Sequence, residues 1–508
     1  MFAMVFTISL IAALTALMAT KWLVRVAPAQ REPSVVPITY RPGSAPPVPR
    51  VGGAAVFGAA VVAIAIGARL DVYGVGGLLD RVDLYGGIFA GATLLLAVGL
   101  ADDFLDLSPA IKLLAQVFAA MLAASGGLSL RSVALGPAHV LVLGWIGVPL
   151  VVLWIVAVTN AFNFIDGLDG LASSIGVVGF GAIAVSAALL GRPDVFVLSV
   201  VLIGALLGFL RYNFAPARIY LADGGSLFIG YLLATLSIEG ATSPTTGALI
   251  YVPVFALALP LLDAALAIAR RWLRRMPVWK GDHRHIHHRV AALGLSTSRT
   301  VGVLAAAAAA LAAVGLLTGL AGAGLFTLRL AVGLTAVVVA VAVGLRHLDY
   351  YEFTAARTAL QTRPARWRRF VREEIRLRDA ERELATARDL NDLRTCLDRC
   401  ALAFGLDRIE ISRQRPRLRR AWHGEHFDVP VSDVETPSSD DWFLRVWHGE
   451  YDSPQPDLVR RVAAALSRSC GLWLRDQGLL GAPPWTGATV LPSRSGLPIR
   501  AGRRLAKA

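Results

Sequence analysis

Charged residues and cysteines are both scarce in this chain. Asp, Glu, Lys and Arg make up 17% of the 508 residues, whereas apolar residues make up 55%. A soluble domain carries about 25% charged residues, so the composition excludes a chain that is soluble throughout. The only cysteines are Cys396, Cys400 and Cys470. Their number and spacing suit neither a disulfide framework nor a zinc site, which favours buried structural thiols.

Long apolar runs fill residues 1–346 and are missing from the remainder. A membrane-spanning helix needs roughly 17 to 25 mostly apolar residues, and about eleven segments meet this requirement. They lie near residues 2–23, 53–69, 84–101, 110–127, 139–159, 168–190, 195–211, 226–240, 247–269, 300–320 and 325–345. The first segment lacks the small-residue cleavage site of a signal peptide, which predicts a retained helix. We therefore expect an all-α polytopic membrane protein with about 11 transmembrane helices.

Lys and Arg are nearly absent from alternate predicted loops. The loops after the first and ninth spans carry most of them, whereas the opposite set holds little beyond Arg69, Arg81, Arg131 and Arg192. Because basic loops face the cytoplasm, the C-terminal region is predicted to lie inside. The net charge of +14 reflects this asymmetry, so we expect a lipid bilayer rather than nucleic acid as the partner.

The residues after the last predicted span have a different composition, rich in Arg, Asp and Glu. An amphipathic helical pattern at 364–400 is followed by short β-forming segments and by a second helical stretch at 457–475. We expect a transmembrane domain at 1–350, a small cytoplasmic α/β domain at 351–480 and a disordered basic tail at 481–508.

Carboxylates, amides and histidines collect in the predicted loops of the cytoplasmic side. They include Arg50, Asp102, Asp103, Asp106, Lys112, Gln116, Asn160, Asn163, Asp166, Asn213, Arg218, Asp223, His285, His287 and His288. Carboxylates held close together repel one another, so a hard cation is needed to neutralise them. Mg²⁺ suits oxygen ligands and substrate phosphates, with Mn²⁺ as the alternative. The cationic residues supply the counter-charge for a pyrophosphate, and together the loops indicate phosphoryl transfer.

Each motif also has a purely structural interpretation. Asp102, Asp103 and Asp106 are also typical of a turn that caps the following helix. The histidine cluster is also typical of an interfacial loop that binds anionic lipid head groups. Agreement among five loops favours one site over separate caps. A transporter would instead place ionisable groups near the bilayer midplane, and a signalling protein would depend on the C-terminal domain.

Five ordered motifs between Arg50 and Tyr350 resemble those of the glycosyltransferase 4 family, the polyprenyl-phosphate N-acetylhexosamine-1-phosphate transferases. The motifs are Pro49-Arg50-Val51-Gly52-Gly53, Asp102-Asp103 with Leu107-Ser108-Pro109, the run from Asn160 to Gly170, the Asp223 loop and His285-Ile286-His287-His288-Arg289. The resemblance implies a cytoplasmic catalytic cleft in a bacterial inner membrane. It implies transfer of N-acetylhexosamine 1-phosphate from a UDP-sugar to undecaprenyl or another polyprenyl phosphate, with release of UMP, as the first membrane step of cell-envelope polysaccharide assembly.

The resemblance and the charge argument together assign roles to individual residues. Asp223 and Asp166 match the family's carboxylates beside Mg²⁺, and Lys112 matches its phosphate-facing lysine. Catalytic roles are predicted for Asp102, Asp103, Lys112, Asp166, His287 and His288, and nucleotide or phosphate binding is predicted for Arg50, Asn160, Asn163, Asn213, Arg218 and His285. The histidine motif resembles the N-acetylglucosamine or N-acetylgalactosamine branch, and the phospho-MurNAc-pentapeptide branch is the alternative.

A lipid phosphate has a second pKa of about 6, so it is already a largely anionic nucleophile at neutral pH. A strong general base is therefore unnecessary, and Asp102 or Asp103 is expected to position or deprotonate the acceptor. A double displacement through an aspartyl intermediate and a homodimer are left open. Two departures from the family pattern stand out. Ala222 replaces the glycine that many relatives carry before Asp223, and segment 26–42 lacks their acidic, Arg-Lys and His pattern.

Overall fold

The computed structural model divides the chain into two compact units, Met1–Thr354 and Ala355–Ala508. The described residues are 2–27, 48–136, 139–243, 247–248, 251–274, 276, 285–319, 323–347, 350, 352–353, 355–357, 367–404, 406, 408–412, 425–430, 443–448 and 456–477. The predicted tail at 481–508 and most of segment 26–42 lie outside them. The proposed domain boundaries and the cytoplasmic position of the second unit stay predictions.

Helices dominate the first unit. They are α1 Phe2–Val26, α2 Gly52–Arg69, α3 Val75–Asp80, α4 Val82–Leu105, α5 Pro109–Ser125, α6 Gly147–Ile165, α7 Leu171–Leu189, α8 Pro193–Asn213, α9 Ala222–Ala241, α10 Tyr251–Ala256, α11 Ala258–Arg274, α12 Ile286–Ala291, α13 Thr297–Gly319 and α14 Ala323–His347. Four short strands form a sheet of order β2-β1-β4-β3, namely β1 Ser132–Gly136, β2 His139–Val142, β3 Thr242–Ser243 and β4 Gly247–Ala248. Of these pairs, β1 and β4 are parallel and the other two are antiparallel.

Eight of the described helices are long and apolar enough to cross a membrane, so the chain is a mostly helical polytopic membrane protein. They are Ala3–Val26, Gly52–Arg69, Val82–Leu105, Gly144–Ile165, Leu171–Leu189, Pro193–Asn213, Ala222–Ala241 and Thr297–Thr318. The other predicted spans fall on the 17-residue α5, on α10 with α11, and on α14. The count of about eleven stays a prediction.

The predicted span at 247–269 is divided into two helices at Leu257. Pro260 explains the division, because it has no N–H to donate to the carbonyl four residues earlier. In the first turn of a new helix that missing donor costs nothing, and α11 accordingly begins at Ala258.

Helix α9 is the centre of the first unit. Every one of its residues except Asp223 is buried, and it packs against α2, α4, α6, α7, α8 and α10. Glycines let the neighbouring backbones approach its first turn closely. A Cβ at Gly53 would lie 2.5 Å from the Gly225 Cα, and one at Gly99 would lie 2.5 Å from the Asp223 carbonyl oxygen. The start of α9 is therefore held between α2 and α4.

The second unit is smaller and mixes helices with a sheet. Its elements are α15 Trp367–Ala385, α16 Leu390–Phe404, β5 Arg408–Ser412, β6 Glu425–Pro430, β7 Phe443–His448 and α17 Pro456–Asp476. The antiparallel sheet has the order β5-β7-β6. Cys396, Cys400 and Cys470 are unpaired and buried in its core, as the composition predicts. Burial raises the pKa of the Cys400 and Cys470 thiols to about 12, which makes them poor nucleophiles at neutral pH.

Candidate active site

The end of α4 carries the first acidic pair. Asp102 accepts a hydrogen bond from the Leu107 N–H at 2.7 Å through Oδ1. Its other oxygen, Oδ2, lies 2.8 Å from Lys112 Nζ on α5. Asp106 ends α4 in a left-handed conformation with φ 49°, and the Ser108 hydroxyl caps the start of α5. This tight turn brings the lysine of one helix next to the aspartate of the other.

Lys112 also reaches the acidic motif of α9. Its Nζ lies 2.9 Å from Asp223 Oδ2, although the two residues are 111 positions apart. One ammonium group therefore bridges two carboxylates that come from different loops. The side chains of Lys112 and Asp223 are 24% and 25% exposed, so the bridge is accessible to a ligand.

Asp103 binds backbone N–H groups of α9, whereas Asp102 contacts a lysine side chain. Its two carboxylate oxygens accept hydrogen bonds from the backbone N–H groups of Asp223 at 3.3 Å and Gly224 at 3.2 Å. Arg50 Nε lies 3.8 Å from Asp103 Oδ1, and the aspartate side chain is only 1% exposed. Asp103 thus caps the start of α9, a helix distant in sequence rather than the one that follows it. Ala222 adopts φ 57° just before this cap, a conformation that favours glycine.

The third polar motif occupies the last turn of α6 and the loop after it. Asn163 Nδ2 donates to Ser226 Oγ at 2.8 Å, which ties the end of α6 to α9. Asp166 lies at the end of α6. Burial, together with the charges of Asp223 and Asp103, raises the pKa of Asp166 to about 8. The three carboxylates therefore lie close enough for their charges to act on one another.

The donor set fits a hard divalent cation. Asp166 and Asp223 offer carboxylate oxygens and repel each other, which a cation between them would relieve. Within the described part of the chain, no three His, Cys, Asp or Glu side chains are grouped to hold a metal ion unaided. Mg²⁺ is usually held by one or two carboxylates together with substrate phosphates and water, so two aspartates suffice.

The histidine motif forms α12 and the residue before it. His287 is 1% exposed, and neither ring nitrogen has a hydrogen-bond partner among the described residues. A Cβ on Gly167 would collide with His287 Nε2, so this ring packs directly against the loop that carries Asp166. Burial, with the neighbouring charge of His288, lowers the pKa of His287 to about 3. His287 is therefore neutral at physiological pH and has one donor and one acceptor for a ligand.

Two acidic residues that sequence reasoning missed hold this motif in place. Asp263 of α11 lies 3.0 Å from His285 Nδ1 and accepts the Ile286 N–H at 2.8 Å. Glu352 is fully buried and lies 2.8 Å from the Arg274 guanidinium and 3.8 Å from that of Arg289. The sequence could have indicated Asp263, because a carboxylate inside an apolar segment is energetically unfavourable and is often functional.

Some predicted binding residues have partners elsewhere in the protein. Asn160 pairs with the Gln116 amide on α5. Asn213 accepts from Ser173 Oγ at 2.8 Å and donates to the Ile219 carbonyl at 3.0 Å, which fixes the loop before α9. Arg218 is exposed within that loop. The structure joins the aspartates, Lys112 and Asn163, whereas nucleotide binding by Asn160, Asn213 and Arg218 stays a prediction.

The chain is similar in sequence to a family of known proteins. The profile of glycosyl transferase family 4 matches residues 85–241. A probable undecaprenyl-phosphate N-acetylglucosaminyl 1-phosphate transferase of Bacillus subtilis is 39% identical over 258 residues, which cover 51% of this chain and 69% of the relative. A decaprenyl-phosphate N-acetylglucosaminephosphotransferase of Mycobacterium tuberculosis is 34% identical over 277 residues, which cover 50% and 68%. The undecaprenyl-phosphate alpha-N-acetylglucosaminyl 1-phosphate transferase of Escherichia coli O157:H7 is 29% identical over 284 residues, which cover 53% and 72%. The chain therefore belongs to glycosyl transferase family 4.

Proposed function

We propose that this protein transfers N-acetylglucosamine 1-phosphate from its UDP-sugar to a polyprenyl phosphate and releases UMP. The observation that carries the proposal is the contact of Lys112 with both Asp102 and Asp223, beside the carboxylate of Asp166 on which the charge of Asp223 acts. The names of the relatives supply the sugar and the lipid acceptor. Membership of the family supplies the reaction class.

Different residues of the site help to bring the lipid phosphate close to the pyrophosphate of the nucleotide sugar. Lys112 offsets the negative charge of the approaching phosphates, because its ammonium already lies between two carboxylates and can shift toward a third anion. His287 offers a neutral imidazole to a phosphate oxygen or to a bridging oxygen. Asp102 is placed to orient the acceptor through Lys112, whereas Asp103 holds the first turn of α9 in position.

Asp223 and Asp166 would hold Mg²⁺ in this proposal. A bound Mg²⁺ would supply electrostatic stabilisation of the charge on the transferred phosphoryl group. Asn163, hydrogen-bonded to Ser226, keeps the Asp166 loop against α9, so the two carboxylates stay at a fixed separation. The lipid phosphate needs no strong base, because it is largely ionised at neutral pH.

The site is proposed to face the cytoplasm. The polar motifs lie at helix ends that the distribution of Lys and Arg assigns to that side. A cytoplasmic site has access to soluble nucleotide sugars, and the exposed apolar side chains of α5, including Leu114, Phe118 and Met121, suit contact with lipid. We propose a bacterial plasma membrane as the location, with the second unit on the same side as the site.

The proposal is tested by incubating detergent-solubilised protein with undecaprenyl phosphate and a panel of UDP-sugars that includes UDP-MurNAc-pentapeptide. We expect UMP release with UDP-N-acetylglucosamine, loss of turnover in EDTA and recovery on addition of Mg²⁺. Turnover with only the pentapeptide donor would contradict the sugar assignment. Parental turnover in EDTA would contradict the metal assignment, and no UMP from any donor would contradict the function itself.

A further inference from the structure

Asp263 is a fully buried carboxylate beside the histidine motif. It is 0% exposed and lies in the first half of α11, which is otherwise apolar as far as Ala269. Each of its oxygens has a separate partner. Oδ2 lies 3.0 Å from His285 Nδ1, and Oδ1 accepts the backbone N–H of Ile286 at 2.8 Å. Burial of a carboxylate carries a large desolvation penalty unless both oxygens have hydrogen-bond partners, and both oxygens of Asp263 have one.

We propose that Asp263 is a positioning residue that fixes the tautomer and orientation of His285. The inference rests on the transferase function proposed above, because it assigns the pair a part in that reaction. A carboxylate can only accept a hydrogen bond, so the proton of a neutral His285 ring stays on Nδ1. Nε2 is then the acceptor that the ring presents on its other side.

The orientation of the His285 ring affects the neighbouring rings of His287 and His288 through direct ring contacts. The rings of His285 and His287 are parallel within 2° with centroids 5.7 Å apart, and the His287 and His288 centroids are 4.2 Å apart. Phe164 lies 5.6 Å from the His285 ring and belongs to the last turn of α6, between Asn163 and Asp166. Rotation of the His285 ring would therefore disturb its contacts with His287 and with Phe164, the residue beside Asn163 at the end of α6.

Asp263 also caps α12, so the test must distinguish this structural role from the effect on the His285 tautomer. Its Oδ1 caps the start of α12, which a neutral amide can also do. In Asp263→Asn the amide oxygen still accepts the Ile286 N–H. The amide NH₂ then faces His285 Nδ1 as a donor, so that nitrogen becomes the acceptor and the proton moves to Nε2. Asp263→Asn thus keeps the cap and inverts the tautomer.

The first measurement reports the tautomer directly and requires no turnover. Protein labelled with ¹⁵N-histidine is compared with His285→Ala, which identifies the signal of His285 by its loss. We expect the shifts of an Nδ1–H tautomer in the parent and of an Nε2–H tautomer in Asp263→Asn. An Nε2–H tautomer in the parent would overturn the inference whether or not the protein proves to be a transferase.

The second measurement asks whether the tautomer matters for the reaction. We expect Asp263→Asn to lower kcat by about 10- to 100-fold, the usual cost of losing an orienting partner, with little change in KM or thermal stability. Asp263→Glu should restore part of the loss, and Asp263→Ala should also lose stability. In the His285→Ala background, Asp263→Asn should cost little more, because the two residues act as one unit. Full additivity, or parental kcat in Asp263→Asn, would overturn the proposal.

Discussion

The two ends of helix α9 carry the same kinds of charged residue in different proportions. Asp223 starts the helix and Glu239 lies near its end, about 24 Å away at 1.5 Å per residue. At the far end, Arg81 and Arg192 contact both Asp194 and Glu239, with Arg81 at 3.0 Å and 2.6 Å. The Tyr85 hydroxyl donates to Asp194 at 2.7 Å. Two cations and two anions therefore balance there.

At the near end, the described carboxylates outnumber their cations. Asp102, Asp103, Asp166 and Asp223 share Lys112 and the more distant Arg50. A balanced network is complete as it stands and joins α4, α8 and α9, whereas an unbalanced one gains from a bound cation or a further cationic partner. The comparison shows that charge proportion, rather than charge type, separates the candidate active site from a structural anchor. Substitutions at the two ends should therefore have different consequences.

The largest expected effect is that of Asp223→Asn at the near end. We expect turnover to fall by about 100-fold or more, because a ligand and a charge are lost together. The fold should survive, since Asp103 bonds the backbone N–H of residue 223 rather than its side chain. UMP release and thermal stability in detergent are measured together.

The matched control for this variant is Asp83→Asn. Asp83 is an exposed carboxylate in the first turn of α4, the helix whose other end carries Asp102 and Asp103. This control should keep parental turnover. Equal turnover in both variants would leave Asp223 as a simple helix cap, whose loss costs only about 0.5 to 2 kcal/mol of stability.

Glu239→Gln at the far end should produce the opposite pattern. Removing one partner of a buried ion pair leaves a buried charge uncompensated and typically costs roughly 3 to 5 kcal/mol. We expect the lower end of this range, because the Arg81 side chain is 42% exposed and water screens its charge. The apparent Tm should fall, while turnover of the protein that remains folded stays near the parental value. A variant with parental Tm and lost turnover would show that the far end takes part in the reaction.

Truncation near residue 365 should have the smallest effect. It removes α15 to α17 and their sheet but keeps the buried Glu352 that contacts Arg274 and Arg289. We expect membrane insertion and measurable UMP release to persist, because the acidic cluster lies wholly in the first unit. A chain ending at His347 sharpens the comparison, since it also loses Glu352 and should lose more activity. A folded, metal-loaded truncation at 365 without turnover would refute an accessory role for the second unit.

The acidic cluster could be predicted because charge is rare in this sequence. An aspartate at the end of an apolar run has few structural explanations, so Asp102, Asp166 and Asp223 could be identified without coordinates. Their helices could be predicted for the same reason, from long uniform apolar segments. Lys112 could be grouped with these aspartates from its place beside a predicted loop, although its 2.9 Å contact with Asp223 depends on the tertiary structure.

Other parts of the site depend on partners that a linear pattern does not reveal. Asp263 looks like an isolated carboxylate within an apolar run, and its use becomes clear only when His285, 22 positions later, lies beside it. Asp103 looks equivalent to Asp102, yet one caps α9 and the other contacts a lysine. The pairing of Asn160 with Gln116 likewise follows from the contact between α5 and α6. Tertiary packing decides these roles, and sequence position does not.

The complete burial of α9 has a consequence for how the protein is made. Its mean hydropathy of 1.2 is the lowest among the candidate spans, and it carries Asp223 and Glu239 near its two ends. If lipid alone surrounded this helix, its charged side chains would make the free energy of insertion unfavourable. Insertion therefore depends on neighbouring helices of the protein. Of the helices that pack against it, α2, α4, α6, α7 and α8 precede it in the chain and α10 follows it. Synthesis from the N-terminus therefore produces five of these neighbouring helices before α9 leaves the ribosome, so Asp223 reaches the membrane after most of the helices that pack around α9.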